Sequence, residues 1–151
     1  MRELLLVSYE TRYARCGGIT AVMNHLPGCL GRASGVTTSV VPAFHYRIPE
    51  TRSLPLRPVA NVVVPFFEDA VTVRIGRHDD RWPWFFLDAS DYRLPEGRRC
   101  SPADERFFGG RKHPYDVGGH AAEPGAILRR ASLFFGAAVA RALPALAPAA
   151  E

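Results

Sequence analysis

The stretch from Glu3 to Val41 constrains the fold more than any other part of the chain. It starts with a continuous apolar run, Leu4-Leu5-Leu6-Val7. A short run of this kind reads as a strand buried on both faces, and a strand is expected over Glu3 to Ser8. A loop from Tyr9 to Cys16 follows. Gly17-Gly18 then open a segment with apolar residues at Ile19, Val22, Met23, Leu26, Cys29 and Leu30, spaced by three and four in the manner of one face of a helix. Pro27 conflicts with a regular helix, because it lacks a backbone donor; it is expected to kink the helix or to shift its effective start. Gly31 and Gly35 flank the exit, and Thr37 to Val41 reads as a second strand. Strand, glycine turn, helix and strand make up the opening of a doubly wound α/β domain. The two strands are therefore expected to be adjacent and parallel, joined by a right-handed crossover.

The later sequence is less regular. Prolines at 42, 49, 55 and 58 mark the stretch from Pro42 to Pro58 as a long loop. Three strand-like runs come next, Val59 to Phe67, Ala70 to Ile75 and Trp84 to Leu87. In the second, Val71, Val73 and Ile75 alternate with Thr72 and Arg74, the pattern of a strand with one wet face. Glu68-Asp69 and His78-Asp79-Asp80 read as turns. Residues 59 to 88 are thus expected to form a small antiparallel β-rich insertion, and residues 88 to 122 an irregular surface excursion. After Pro124, placed where a first-turn proline is tolerated, a helical stripe runs through Ile127, Leu128, Ala131, Phe134, Phe135, Ala138, Val139, Ala142 and Leu143. Pro144 is expected to end it.

Composition narrows the function classes. The 151 residues suit one domain, and 47% hydrophobic content suffices for a core. The net charge of +4 hints at an anionic partner, but Lys112 is the only lysine and the arginines are scattered among acids, which argues against nucleic acid. No segment reaches the ~18 apolar residues of a membrane span, and the short N-terminal apolar run does not make a signal peptide. Cys16, Cys29 and Cys100 are odd in number and contain no CxxC pair, so neither a disulfide framework nor a zinc site is expected. Three reduced thiols in a cytoplasmic protein fit best.

The Gly17-Gly18 turn is the most informative local feature. A glycine turn between strand and helix lets a phosphate or diphosphate approach the backbone, because no Cβ intervenes. Arg15, just before it, can add a charge-assisted contact. The same residues also suit a plain tight turn. The dinucleotide fingerprint GxGxxG and the phosphate-binding loop ending in Gly-Lys-Ser/Thr are both absent. His25 is expected on the first helix, at its surface or half buried, and His45, His78, His113 and His120 in loops, with no metal-ligand spacing among them. Asp79-Asp80, Asp88 and Asp91 are explained by turns and strand ends. Trp82, Trp84, Phe85 and Phe86 can stack on sugar rings, but at strand spacing they read as core.

Taken in order, Val7-Ser8-Tyr9-Glu10, then Arg15-Cys16-Gly17-Gly18-Ile19, then Val22 and Leu26-Pro27 resemble the N-terminal signature of bacterial glycogen synthases and plant starch synthases. That signature runs Val-Ser-x-Glu, Lys-x-Gly-Gly-Leu, Asp-Val and Leu-Pro. Val40-Val41-Pro42, Phe86-Leu87-Asp88 with Tyr92, and Arg130-Ala131-Ser132-Leu133-Phe134 extend the likeness along nearly the whole chain. Arg15 stands where the family has lysine, keeping the charge but changing its geometry. Ala21 stands where the family usually has aspartate.

The resemblance implies an α/β, Rossmann-like N-terminal half of a GT-B glycosyltransferase. Residues 1–151 would form a single truncated domain whose partner, a C-terminal Rossmann-like domain, is missing. It implies transfer of glucose from a nucleotide sugar, ADP-glucose or UDP-glucose, to an α-1,4-glucan acceptor with retention of configuration, and without metal or other cofactor. Arg15, Gly17 and Gly18 would face the donor diphosphate. Glu10 matches the family's acid on the glucan or donor side; it reads somewhat more readily as a solvated loop carboxylate. The alternative is a non-catalytic remnant that binds a sugar or phosphate. An unrelated α/β phosphate-binding protein is a third reading.

Overall fold

The computed structural model describes residues 3–15, 17–42, 53–67, 69–89 and 124–146. Its centre is a sheet of five strands: β1 (Glu3–Ser8), β2 (Thr37–Pro42), β3 (Arg57–Phe66), β4 (Asp69–Asp79) and β5 (Pro83–Asp88). They lie in the order β1-β2-β5-β4-β3. β1 and β2 are parallel, with Glu3 opposite Thr37 and Ser8 opposite Pro42. This is the pairing expected from the opening pattern. β2 continues in parallel to β5 through Val40 and Trp84. β5, β4 and β3 are antiparallel to one another.

The expectation of a separate β-rich insertion over residues 59 to 88 is therefore corrected. The antiparallel pairing is present, but β5 joins β2 and the three strands extend one mixed sheet. Trp84, Phe85, Phe86 and Leu87 are all buried. A strand apolar on both faces needs cover on both sides, which a central position provides. β4 runs to Asp79, so His78-Asp79 belong to a strand and not to a turn.

The two faces of the sheet are covered differently. α3 (Pro124–Leu146) packs over one face. Phe134, Phe135, Ala138, Val139, Ala142 and Leu146 meet Val41, Val64, Phe66, Val71, Val73, Ile75, Phe85 and Leu87 in the larger core. The rings of Phe66 and Phe134 lie 5.0 Å apart, edge to face. The helix continues through Pro144, which was expected to stop it. Proline removes the bond to the carbonyl four residues earlier, but Ala140 there is exposed, so solvent can satisfy it. Leu143, expected in the stripe, is exposed, and Leu146 takes the buried place.

The other face carries α1 (Ile19–Met23) and α2 (Leu26–Ser34). The stripe that reads as one helix is two, broken at Asn24-His25. Pro27 sits in the first turn of α2, where its missing donor costs nothing. α2 ends on Gly35 at φ 62°, whose N–H donates to the Gly31 carbonyl at 3.2 Å. Met23, Val40, Trp84 and Phe86 form a smaller core here. β1 is only half covered: Leu4 and Val7 are 36% and 45% exposed. The expected burial on both faces is not met, because β1 pairs on one side only among the described residues. Residues 43–52 of the proline-rich loop and residues 90–123 of the excursion lie outside the described residues.

Candidate functional site

The β1–α1 turn is built by short-range bonds. The Ser8 hydroxyl donates to the Glu10 carbonyl at 2.8 Å, and the Glu10 N–H reaches the Ser8 Oγ at 3.2 Å. The Ala14 N–H donates to the Thr11 carbonyl at 3.0 Å and the Tyr13 N–H to the Thr11 Oγ1 at 3.3 Å, folding residues 11–14 back on themselves. Tyr13 anchors this fold-back to the sheet, its ring 5.0 Å from Trp84 and 5.4 Å from Phe86. Arg12 lies over the Tyr13 and Trp84 rings, donates to the Tyr13 hydroxyl, and pairs with Asp80 at 2.5 Å. The hydrogen bond from Arg12 is the main reason that the Asp80 carboxyl is held below the ordinary aspartate range. It outweighs a small opposing cost of burial, and the charges of Arg12, His78 and Arg81 add to it.

Glu10 and the glycine turn come together. Glu10 is 9% exposed, and its Oε2 is buried without a hydrogen-bond partner, unlike the solvated carboxylate that a loop position suggests. A Cβ on Gly17 would lie 3.1 Å from that Oε2 and 3.4 Å from Oε1. A side chain at 17 would thus press on the carboxylate and require it to shift by a few tenths of an ångström. Gly18 is different. Its φ and ψ are −67° and −25°, ordinary right-handed values, and a Cβ there would meet nothing within 4 Å. Packing does not require glycine at 18. The space beside it is open.

α1 has only five residues, so its opening adds little dipole to attract an anion. Any anion contact at this turn rests on the exposed backbone at Gly17-Gly18 and on Arg15, which is exposed beside it. Ala21 is likewise exposed. Cys16 lies outside the described residues, as do His45, His113, His120, Asp91 and Tyr92.

A groove of about 470 Å³ lies elsewhere, beside α2, the start of β2 and the β4–β5 turn. Reading along the chain did not single it out, because Asn24, Thr38 and Trp82 come from distant segments. Of the aromatic run, Trp84, Phe85 and Phe86 are core as expected, whereas Trp82 lines this groove. His25, expected at the surface or half buried, is exposed and lines it too. Among the described residues no group of three or more His, Cys, Asp or Glu could hold a metal ion, and no helix is long and apolar enough to cross a membrane.

No protein-family model matches the chain, and no curated protein matches it in sequence. Among solved structures, it is similar to the catalytic domain of starch synthase IV from Arabidopsis thaliana bound to ADP and acarbose. The identity is 17% and the TM-score 0.61, over 94% of this chain and 25% of that one. The chain thus spans a quarter of the length of the starch synthase chain that it matches. At this identity the likeness concerns fold: an α/β arrangement of the starch synthase, GT-B type.

Proposed function

We propose that the chain is the N-terminal part of a glucosyltransferase of the glycogen/starch synthase type, and that its β1–α1 turn faces the diphosphate of a nucleotide-sugar donor. The observation that carries this reading is the open glycine at 18. The fold leaves free space beside a residue whose side chain it has no need to exclude, in the turn that follows β1. The fold's likeness to a starch synthase supports the reading, since that neighbour was solved with ADP and acarbose. The ordered motif of Glu10, Arg15, Gly17 and Gly18 supports it from sequence.

In glucosyl transfer the bond between the anomeric carbon and the diphosphate breaks, and negative charge develops on the leaving group. Donors placed against that charge lower the barrier. Arg15 supplies a fixed cation and the glycine turn supplies close backbone approach. Glu10, buried against Gly17, holds the turn and offers a carboxylate to hydroxyls on the sugar side. ADP-glucose as donor, an α-1,4-glucan as acceptor, a second Rossmann-like domain completing the site and a cytoplasmic setting belong to the same proposal. A second reading, donor binding without turnover, is favoured by Ala21, which offers only a methyl group at the exposed start of α1.

Titration of the chain with ADP-glucose, followed by amide chemical shifts, tests the proposal. The Arg15 and Gly17 to Thr20 amides should move, with a dissociation constant of about millimolar, or ~4 kcal/mol. Gly18→Val should abolish the shifts while the circular dichroism spectrum is kept, since the new side chain enters open space at an ordinary φ. Arg15→Ala should weaken binding without unfolding. Shifts confined to other regions, or indifferent to both substitutions, would refute the assignment.

A further inference from the structure

We infer that the groove between α2, the start of β2 and the β4–β5 turn is a binding site for a small organic phosphate, separate from the β1–α1 turn. The two places lie at opposite ends of the parallel strands. The turn follows Ser8, and the groove begins at Thr37, which pairs with Glu3. Six residues of strand separate these ends, and α1 bridges the gap: the groove's Asn24 follows Gly18 by six residues, about 9 Å at ~1.5 Å per residue, so the two sites are distinct but neighbouring.

Size, charge and unused polar atoms agree on the ligand class. The volume of about 470 Å³ falls in the range of small-molecule sites, roughly 300–1,000 Å³, and exceeds what a bare phosphate fills. α2 and its approach bring His25 and Arg32, and the β4–β5 turn brings Arg81; all three are exposed and line the groove. None of its lining is acidic among the described residues. The nearby Asp80 carboxylate is engaged by Arg12. Two guanidinium groups with a histidine suit a phosphate dianion, which accepts several charge-assisted bonds at once.

The remaining walls suit the organic part. Asn24 Oδ1, Thr38 Oγ1 and Trp82 Nε1 are buried without hydrogen-bond partners, and all three residues line the groove. Thr38 is 5% exposed. Buried polar groups of this kind are rare and call for a partner. Asn24 and Thr38 both line the groove, so hydroxyl groups on a ligand are the partners proposed for their unpaired atoms. Trp82 gives the apolar wall on which a sugar-sized body rests. Gly28 admits this arrangement: a Cβ there would lie 3.4 Å from both Trp82 and the Arg32 Nη1.

Ribose 5-phosphate is a suitable probe, titrated at low salt into the full chain and followed by NMR. The expected result is movement of the amides of residues 24–32 and 37–38 and of the Trp82 indole N–H, saturating at millimolar concentration or below. Arg32→Ser and Arg81→Ser should each weaken binding about tenfold. Gly28→Val should abolish it by narrowing the groove, and the two exposed arginine substitutions serve as the test should Gly28→Val unfold the chain. Free ribose should leave the amides unmoved, and inorganic phosphate should bind several-fold more weakly. Affinity that is unchanged in both arginine variants would overturn the proposal, as would equal affinity for inorganic phosphate or no saturable shift. Shifts confined to residues 15–20 that vanish in Arg15→Ala would overturn it too, while leaving the donor reading of the turn intact.

Discussion

The two faces of the sheet are built to different standards. Under α3, large apolar side chains interlock, with Phe134, Val64, Val71 and Val73 all within 1% of complete burial. On the α1–α2 face the buried core reduces to Met23, Val40, Trp84 and Phe86. Among the described residues, the buried side-chain N or O atoms without a partner are on Glu10, Arg12, Thr20, Asn24, Thr38, Trp82 and Trp84: none is on α3, and Asn24, Thr38, Trp82 and Trp84 belong to the groove or the core of this second side. One face supplies stability. The other accepts an energetic penalty, of the kind associated with sites that meet ligands.

Four substitutions sharpen or break this contrast. Phe134→Ala, in the α3 core, should cost about 3–5 kcal/mol in chemical denaturation; a loss below ~1 kcal/mol would mean that α3 does not carry the fold. Thr38→Val should act in the opposite direction, raising stability by about 1 kcal/mol, because it removes a buried hydroxyl with no partner and keeps the shape. A clear destabilisation there would show that the hydroxyl is satisfied and that the two faces are equals. Gly35→Ala should lower stability by roughly 1 kcal/mol, since a Cβ is strained at φ 62°. An unchanged melting temperature would show that the end of α2 is loose enough to rearrange.

The smallest effect concerns Arg12 and Asp80. Because the folded carboxyl titrates below its unfolded value, the pair contributes above the unfolded pKa and its contribution disappears as pH falls through the lower, folded one. Asp80 is 37% exposed, so Asp80→Asn should cost only a few tenths of a kcal/mol at neutral pH. Comparing the melting temperatures of the two proteins as a function of pH checks this: their difference should begin to shrink near the ordinary aspartate range, about pH 4, and vanish only below the lowered, folded value. A difference that persists there would assign the effect to packing.

The contrast also explains which features the sequence disclosed. Periodicity finds elements whose burial is one-sided and regular, so β4 and the Phe134-Phe135 stripe of α3 were readable, while β1 was found from its continuous apolar run although its burial on both faces was not met. Periodicity does not carry strand order, and the joining of β5 to β2 escaped it. The stripe from Ile19 to Leu30 keeps its spacing through the break at Asn24-His25, so periodicity alone joined α1 to α2, although Pro27 marked the irregularity. The turn holding Glu10, Arg15, Gly17 and Gly18 was legible because its residues are close in sequence. That Gly17 lies against the Glu10 carboxylate while Gly18 faces open space was not, since the dipeptide looks uniform. The groove was invisible for a further reason: Thr38 and Trp82 are more than forty positions apart, and only the parallel register of β2 and β5 brings their segments together.

That parallel junction also sets an order of events. β3, β4 and β5 connect through short turns, so their contacts close small loops and form early in folding. The pairing of Val40 with Trp84 must close a loop of more than forty residues, a slower step that the chain reaches only once both partners exist. The same junction holds the β1–β2 unit to the rest of the sheet, and it is where partial opening should begin. Amide exchange should therefore be faster for the β2 and β5 groups that bond across this seam than for those between β3 and β4. A ligand bound beside Thr38 and Trp82 would slow it by acting as a clasp on the seam.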